Sequence, residues 1–454
     1  MTQRNVDLSN PARRYTFYLV LVFVFLRVSD IHELLSVTVG FNSYLLLLVG
    51  VPAVVGVILT GAIRRTMLSR ASRYWLAFFV WMVLAIPFSV WKSGSFSLVQ
   101  TYARTELCLL FMLAGTPLLW SECRSVLYAF GLGSFVCVLI GRFFTVKDYG
   151  GERVSLAFGS IANSNDFAAH LLFALPFLLF VVLSPKTSRI VRIVSGITLL
   201  YGLFLTLDTA SRGALVALGA VALYVLWRGS MSVRISMLVG LPLLALVAVA
   251  VLPGTVITRL QTFTTSSSDA ASVEAAESAR IRRYEFETSL RYTLEHPFFG
   301  VGPGEFSTYE GQTEKTIGAH GTWLQTHNVL TQISSECGIP AFLFFLGAIG
   351  STFLLILRIQ KQARLHGLRE ISMAAFCLGM SMVGFFTAVL FLNLAYRYYF
   401  PALTGLAITL YASVEQEIKA SKPNHSVTPA PTPAERVLGT AATPSLKYRF
   451  GRLR

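Results

Sequence analysis

The chain has 454 residues, of which 54% are hydrophobic and 13% are charged, and its mean hydropathy is +0.62. Soluble globular domains have about twice this share of charged residues, so the composition excludes that class and indicates a membrane protein. Apolar runs of about 20 residues recur, the length that an α-helix needs to cross a hydrocarbon core of roughly 30 Å. A β-barrel would alternate apolar and polar residues instead. The predicted fold class is therefore an all-α, polytopic membrane protein.

Twelve apolar segments are predicted to cross the membrane. They lie near residues 15–29, 42–62, 74–91, 97–120, 125–145, 163–183, 190–207, 211–227, 235–252, 327–357, 371–392 and 396–414. They divide the chain into about nine N-terminal spans (1–252), a large loop (253–326), about three C-terminal spans (327–414) and a disordered basic tail (415–454). The first span is expected to be retained, because no small-residue cleavage site follows it.

The positive residues behind the formal net charge of +15 lie mainly on one predicted side of the membrane. With a cytoplasmic N-terminus, the inside segments before the tail carry seventeen Lys and Arg residues. The short outside loops carry about six: Arg27, Lys92, Lys147, Arg153, Arg212 and Arg397. The positive-inside rule therefore predicts that both termini are cytoplasmic and that the loop 253–326 is periplasmic. Nucleic-acid binding is not expected, because the basic residues are divided among helix ends and do not form one face.

The large loop contains a low-complexity run, an amphipathic segment and a glycine-rich segment. The run TFTTSSSDAASVEAAESA is expected to be flexible or to lie on the surface. Next, Ile281, Phe286, Leu290 and Leu294 have helical spacing and predict an amphipathic helix that ends before Pro297. The glycines of GVGPGEF and AHG predict irregular backbone beyond it. The five cysteines occur singly, so neither a disulfide framework nor a zinc site is indicated.

Three histidines occur in or next to this loop. His327, in the tripeptide THN at the outer mouth of the tenth span, is the candidate general base, because the pKa of imidazole lies closest to neutral pH. The alternative is that THN only begins a membrane helix, with Thr326 or Asn328 capping its amides. His296 before proline and His320 in the glycine turn are weaker candidates.

Arginines on the outer side are candidates for phosphate binding. A guanidinium holds phosphate oxygens in a bidentate fork at any working pH. Those on or near the amphipathic helix are Arg280, Arg282, Arg283 and Arg291, and each alone can equally be a solvated helix residue offset by Glu285, Glu287 or Glu295. Arg212 opens a membrane helix in the tripeptide SRG, where positive charge is disfavoured.

Other polar residues lie near outer helix ends. Intramembrane arginine usually faces a cavity or snorkels; snorkelling suffices for Arg142, and both interpretations remain open for Arg104. In IANSNDFAAHL, Asn163 and Asn165 either belong to the site or only cap the sixth span, and His170 is expected to be packed and hydrogen-bonded.

As an ordered set, these motifs resemble the O-antigen ligase and polymerase family of bacterial envelope glycosyltransferases. The set comprises Arg282 with Phe286, then HPFFGVGPGEF from His296 to Phe306, then HN at His327, and Glu336 with Gly338. SRG at 211–213 and NSND at 163–166 also lie where that family has similar motifs. The resemblance covers roughly residues 150–360. Phe286 stands where tryptophan is commoner, and neighbouring arginines leave the choice of Arg282 open by a residue or two.

The resemblance implies a glycan transferase of the bacterial inner membrane. Its donor would be a glycan linked through pyrophosphate to undecaprenol, and its acceptor lipid A-core or a growing glycan, with no cofactor and no required metal. His327 would activate the acceptor hydroxyl, and Arg212 and Arg282 would bind the pyrophosphate. Further candidates for the pyrophosphate are Arg280, Arg283 and Arg104, and supporting residues would be Asn328, Glu336, Asn163, Asn165, Gly300 and Gly302.

The chemistry agrees with these residue types. Attack of a hydroxyl on an anomeric carbon that carries pyrophosphate needs a base and cations, but no acid, because the leaving group is already a stable anion. Ligase and polymerase activities remain open alternatives. A transporter or lipid-linked glycan flippase is the alternative from another class, although transporters usually have two related halves with broken helices near the midplane. In a structural or sensory membrane protein, the histidine and the arginines could be replaced without loss of function.

Overall fold

The computed structural model of the protein describes residues 10–147, 153–251, 254, 257, 270–316 and 323–421. Within these residues the chain forms seventeen α-helices, one short 3-10 helix, one π-helix and one two-stranded antiparallel hairpin. His320 and the segment 422–454 of the predicted tail lie outside the described residues, as does much of the low-complexity run. The architecture is therefore helical, as expected from the composition.

The elements follow one another along the chain in this order. They are α1 Pro11–Ser29, α2 Ile31–Val39, α3 Leu45–Leu59, α4 Ala62–Thr66, α5 Arg70–Ala85, the 3-10 helix Ile86–Phe88, α6 Lys92–Thr101, the π-helix Tyr102–Leu107, α7 Cys108–Gly115, α8 Trp120–Phe143, β1 Thr145–Lys147, β2 Val154–Leu156, α9 Ser164–Leu183, α10 Arg189–Asp208, α11 Arg212–Arg228, α12 Met231–Val251, α13 Ala270–Glu295, α14 Phe306–Thr316, α15 Val329–Leu365, α16 Arg369–Val389 and α17 Tyr399–Ser421.

Six of the described helices are long and apolar enough to cross a membrane: α5 with the 3-10 helix after it, α8, α9, α10, α15 and α16. The protein is thus an all-α polytopic membrane protein, and the total of twelve spans stays a prediction. Each predicted apolar segment overlaps at least one helix. The segment 97–120 differs most, because a π-helix lies between α6 and α7, although the three elements follow one another without a gap from residue 92 to residue 115.

The bundle core is built around α15 and α9. Helix α15 packs along α5, α16 and α17, and α9 packs against α8, α10 and α16. Fully buried aromatic side chains such as Trp75, Phe78 and Phe345 fill the space between α5 and α15 in edge-to-face or tilted pairs. The Trp75 indole donates to the Thr404 hydroxyl at 2.8 Å, which satisfies a polar group that would otherwise be costly to bury.

The two ends of the bundle differ in their polar residues. At one end, α1 is joined to α8 by an ion pair of 2.8 Å between Arg13 and Glu122, and Arg124 lies 3.2 Å from Glu370. The opposite end contains the N-termini of α9, α11 and α15, whose N-caps are Asn163, Ser211 and Asn328. The site residues predicted from sequence on α9, α11 and α15 are therefore at the second end.

The longest helix, α15, is interrupted at Gly338. Its backbone there has φ 81° and ψ 175°, a conformation that is essentially restricted to glycine. Pro340 has no N–H, and the Ile339 N–H donates outside the helix, so the carbonyls of Ser335 and Glu336 lose their usual partners four residues ahead. Two buried carbonyls thus become available as hydrogen-bond acceptors.

The loop after α13 supplies the missing partners. The N–H groups of Val301 and Gly302 donate to the carbonyls of Ser335 and Glu336, both at 2.9 Å, and the Pro297 carbonyl accepts from the Ile339 N–H at 2.8 Å. The approach is close: a Cβ on Gly302, whose φ is +120°, would lie 2.1 Å from the Ser89 hydroxyl oxygen. Glycine is therefore required for this strand-like pairing.

Gly300, the other glycine of the motif proposed as supporting, meets the same restriction. Its φ is +66°, and a Cβ there would lie 2.3 Å from the carbonyl carbon of Glu336. Its N–H donates to the His296 carbonyl at 3.0 Å. Both motif glycines thus hold the loop against the break in α15.

Replacing Gly338 by Ala is expected to destabilise the protein. A Cβ would lie 2.2 Å from the Phe298 carbonyl oxygen, and the strained backbone alone costs about 1–3 kcal/mol. Gly350→Ala in the same helix is the matched control, since nothing lies within 4 Å of its Cβ. Thermal unfolding of the purified proteins in detergent measures both. Equal unfolding temperatures for the two variants would contradict the assigned role of Gly338.

Candidate active site

A cleft lies at the end of the bundle where α9, α11 and α15 begin. It has about 240 Å³ of empty space, its open mouth included. Asn165 lines it from α9, Ser211 and Gly213 from the start of α11, Arg282 from α13 and Phe391 from the turn after α16. Three motifs that are far apart in the sequence, NSND, SRG and the arginine of the large loop, therefore meet around one cavity.

The backbone around this cleft favours an anion. The first turns of α9 and α11 both contribute lining residues, and helix N-termini carry a partial positive charge. The Arg282 guanidinium adds a full positive charge that keeps its proton at any working pH. The cleft thus has the chemistry of a phosphate or pyrophosphate site.

The structure distinguishes the three neighbouring arginines of α13. Arg282 lines the cleft. Arg280 and Arg283 have side chains that are 79% and 82% exposed, and they form ion pairs with Glu277 at 3.0 Å and with Glu287 at 2.8 Å. Of the three, Arg282 alone is therefore positioned toward the cavity.

The other predicted arginines have different positions. Arg212 is the first residue of α11 and lies between Ser211 and Gly213, both of which line the cleft. Arg104 is exposed on the π-helix, two residues before Glu106, which forms a buried ion pair of 3.0 Å with Arg27. Neither Arg212 nor Arg104 is itself among the lining residues of the cleft, but Arg212 adjoins two of them in the sequence, whereas Arg104 adjoins none.

His327 is paired with a carboxylate that the sequence analysis did not single out as catalytic. Its Nδ1 lies 2.5 Å from an oxygen of Glu285, whose side chain is fully buried, whereas the imidazole is 31% exposed. A carboxylate only accepts hydrogen bonds, so Nδ1 carries the proton and Nε2 carries the lone pair of the neutral ring. Among the described residues, Nε2 has no hydrogen-bond partner. This arrangement orients a histidine to act as a base.

The His327–Glu285 pair is close to the cleft. Glu285 follows Arg282 by three residues, which places the two side chains on neighbouring parts of one helix face. Asp166, which follows Asn165 at the start of α9, interacts electrostatically with both His327 and Arg397. The His327–Glu285 pair and the cleft therefore lie side by side.

Arg153 is a second residue that the sequence analysis did not select. It precedes β2, and its guanidinium donates to the Asn165 side-chain oxygen at 2.9 Å and to the Thr209 carbonyl at 3.3 Å. It thereby connects the start of α9 with the end of α10, next to Ser211. Nothing in the local sequence marks this contact, because the hairpin that carries Arg153 is shorter than any strand signal.

The asparagines named as supporting residues act as helix caps. Asn163 accepts from the Asn165 N–H at 2.8 Å, and Asn328 accepts from the N–H groups of Leu330 and Thr331 at 2.9 and 3.2 Å. Asn163 and Asn328 thus cap helices, and a role in the site stays a proposal for them. Asn165 differs, since its side chain lines the cleft and binds Arg153.

Glu336 supports the loop and has no contact with the cleft residues among its hydrogen bonds. It is fully buried beside the break in α15, where one carboxylate oxygen accepts from the Tyr396 hydroxyl at 2.7 Å and from the Gly304 N–H at 3.1 Å. His296 is also structural in its contacts, since its Nε2 is hydrogen-bonded to the Tyr309 hydroxyl at 2.9 Å. Both residues hold the glycine-rich loop in place.

The same loop is fastened to α13 by a polar contact outside the membrane spans. The Tyr284 hydroxyl donates to the Glu310 carboxylate at 3.1 Å, and the second oxygen of that carboxylate accepts from the Trp323 N–H at 3.0 Å. Burial and the hydrogen bond to Glu310 raise the pKa of Tyr284 to about 12, so it remains a donor at neutral pH. This contact fixes α14 beside the helix that carries Arg282.

One group of possible metal ligands occurs among the described residues. Asp30, Cys137 and His170 are buried and place ligand atoms within 4.8 Å of one another. Both ring nitrogens of His170 already have hydrogen-bond partners, the Val28 carbonyl at 3.0 Å and the Tyr399 hydroxyl at 3.1 Å. His170 is therefore packed and hydrogen-bonded, as expected from the sequence.

Comparison with known families finds a match for the part of the chain that carries Ser211, Gly213 and Arg282 of the cleft. Residues 197–346 match the family model of the O-antigen ligase domain. The match supports membership of the O-antigen ligase and polymerase family, to which the motifs show a resemblance. No curated protein matches the chain.

The O-antigen ligase match includes Arg212, Arg282, Glu285 and His327. Together with the membrane-length helices, it supports a glycan-transferring integral membrane enzyme of the bacterial envelope that acts in polysaccharide biosynthesis. The finer assignments of donor, acceptor and residue roles are proposals.

Glu336→Ala is expected to lower stability by about 1–3 kcal/mol, because it leaves the half-buried Gly304 N–H and Tyr396 hydroxyl without their acceptor. Glu336→Gln keeps one acceptor oxygen and should cost less. Thermal unfolding in detergent ranks the two variants against Glu295→Ala, which removes an exposed carboxylate from α13. If Glu336→Ala unfolds at the same temperature as Glu295→Ala, Glu336 does not support the loop.

Proposed function

We propose that the protein transfers a glycan from an undecaprenyl-pyrophosphate carrier to an acceptor hydroxyl on the periplasmic face of the inner membrane. The observation that carries this proposal is the cleft in which Arg282 meets the N-termini of α9 and α11. A pyrophosphate requires such a cationic cavity, and its lipid requires a site at the end of a membrane bundle. The O-antigen ligase match over residues 197–346 supports the same chemistry.

In the proposed reaction, the acceptor hydroxyl loses its proton to Nε2 of His327 while its oxygen attacks the anomeric carbon. The bond between that carbon and the pyrophosphate oxygen breaks, and its electron pair leaves with the undecaprenyl pyrophosphate. Glu285 holds Nδ1–H and stabilises the imidazolium that forms. Arg282, Arg212 and the two helix N-termini stabilise the departing anion. The proton then passes from His327 to solvent.

The acceptor distinguishes the two possible activities. A ligase would attach a finished polymer to lipid A-core, and a polymerase would join repeat units to one another. Deleting the gene and resolving the envelope glycans on a gel separates them. Chains shortened to one repeat indicate a polymerase, and full-length polymer retained on its lipid carrier indicates a ligase. Unchanged glycans with altered uptake of a solute would support the transporter alternative.

His327→Ala, Arg282→Ala and Arg212→Ala are each expected to abolish surface glycan when they replace the wild-type gene. Each removes either the base or a charge that stabilises the leaving group, and one such donor is worth about 10²–10³ in rate. Arg280→Ala and Arg283→Ala are the controls, because both side chains are exposed and paired within α13. Immunoblots of membrane fractions establish that all five variants are inserted. Normal glycan in the first three strains would rule out this site.

Glu285→Gln is expected to slow transfer by at least about 10²-fold. A general base contributes about 10²–10⁴-fold to the rate, and an amide in place of the carboxylate would no longer orient the His327 imidazole. The effect should be on kcat, with the KM for the lipid-linked donor nearly unchanged. Glu287→Gln, two residues away and exposed, should retain activity. Turnover by purified variants with a synthetic lipid-linked donor measures both constants. A raised KM with normal kcat would assign Glu285 to donor binding instead.

A further inference from the structure

Helix α13 presents three faces of different chemistry. The face packed against the start of α15 is polar: Glu285, Thr288, Ser289, Tyr292 and Thr293 are buried. They are held by specific contacts, since the Thr293 hydroxyl lies 2.8 Å from that of Ser334 and Glu285 binds His327. This is the reverse of the usual amphipathic helix in a globular protein, which buries its apolar stripe.

The apolar residues of α13 are exposed instead. Phe286, Leu290 and Leu294 follow at four-residue intervals, about 40° apart around the helix, and Phe298 comes four residues later. Their exposed fractions are 42%, 42%, 77% and 68%. We call these four residues the apolar stripe. Contiguous exposed apolar surface of this kind marks contact with a partner or a membrane.

The third face of α13 is charged. Arg283, Glu287, Arg291 and Glu295 are exposed, and Arg283 and Glu287 pair at 2.8 Å. On the helix circumference, the apolar stripe lies between this charged face and the buried polar face. A helix that contacts protein on one side, acyl chains on the second and water on the third has this order of faces.

Two contacts fix the position of α13 along the long axis of the bundle. Near its middle, Arg282 lines the cleft beside Ala388 and Phe391, at the end of the membrane-length helix α16. After its end, the Phe298 carbonyl accepts from the Trp81 indole of α5 at 3.0 Å. The stretch between them is about 24 Å long at 1.5 Å per residue. Helix α13 is therefore attached to the helix ends at both places and lies across them.

The apolar stripe continues into the lipid-facing surface of α15. Phe298 lies against Gly338, and beyond it Ile339 and Leu343 are 39% and 59% exposed within a membrane-length helix. The segment 339–357 carries no charged residue and is about 28 Å long as a helix, close to the hydrocarbon thickness of a bilayer. The membrane boundary thus falls near Gly338, at the end of the stripe.

We propose that α13 is an interfacial membrane helix, whose apolar stripe inserts among the acyl chains of the leaflet on the His327 side. The occupant of the stripe is the bilayer itself. Arg282 and Glu285 on the inner face of the same helix are then held at the depth where a lipid-bound phosphate lies. The membrane contact does not depend on the proposed reaction and can be tested without it.

Environment-sensitive labels on single introduced cysteines test the proposal in the full chain reconstituted into phospholipid vesicles. Leu290→Cys and Leu294→Cys place a nitrobenzoxadiazole label on the stripe, and Glu287→Cys and Arg291→Cys place it on the charged face as matched controls. The native cysteines are buried or half-buried, and the unsubstituted chain labelled in parallel gives their background. Quenching by doxyl-labelled phospholipid and by aqueous iodide is measured for each label.

Labels on the stripe are expected to be quenched at least about threefold more by doxyl lipid than labels on the charged face, with the opposite order for iodide. Iodide quenching of the stripe labels equal to that of the controls would overturn the proposal. So would disulfide-linked dimers of Leu294→Cys together with protection from both quenchers, which would assign the stripe to a second copy of the chain. Activity is not the readout, so failure of the proposed reaction would leave this result interpretable.

Discussion

The break in α15 at Gly338 determines how the rest of the site is built. An unbroken helix would use its own carbonyls at Ser335 and Glu336, and the loop after α13 would have no place to pair. Because the break frees these carbonyls, Val301 and Gly302 bind there and fix the end of α13. The arm of α15 before the break then runs beside α13, so that Thr293 meets Ser334 and, farther along, Glu285 meets His327.

Much of the helical architecture could be predicted from the sequence, because membrane helices must satisfy their backbone internally and are therefore continuous apolar runs. The caps at Asn163 and Asn328 could also be predicted, since capping is a local interaction. The division of 97–120 by the π-helix could not, because the contacts around it, the packing of α7 against α17 and the buried Arg27–Glu106 pair, join residues far apart in the sequence. The motifs identified the cleft residues, but their convergence depends on helix positions that spacing does not encode.

Glu285 shows why the partner of His327 was not predicted from the sequence. It lies among Arg282, Arg283 and Glu287, where charges normally form a solvated helix face, and the apolar residues of the same helix suggest that they are the buried ones. A membrane reverses this expectation, because acyl chains are as apolar as a protein core and the protein-facing side can be polar. The useful signal was the set Glu285, Thr288, Ser289 and Tyr292, which has helical spacing without an apolar member other than tyrosine.

The distribution of polar groups also bears on the choice between a transferase and a transporter. A transporter binds its substrate near the midplane, on broken helices that line a cavity. In the described part of the bundle, polar groups inside the spans include hydroxyls that neighbouring helices satisfy, such as Thr352 with Thr404 at 2.8 Å and Ser381 with the Phe173 carbonyl at 2.7 Å. The broken helix α15 has its break next to the loop at one end. The charge, the cavity and the broken backbone thus coincide at one end of the bundle, where the proposed lipid-linked donor would present its pyrophosphate.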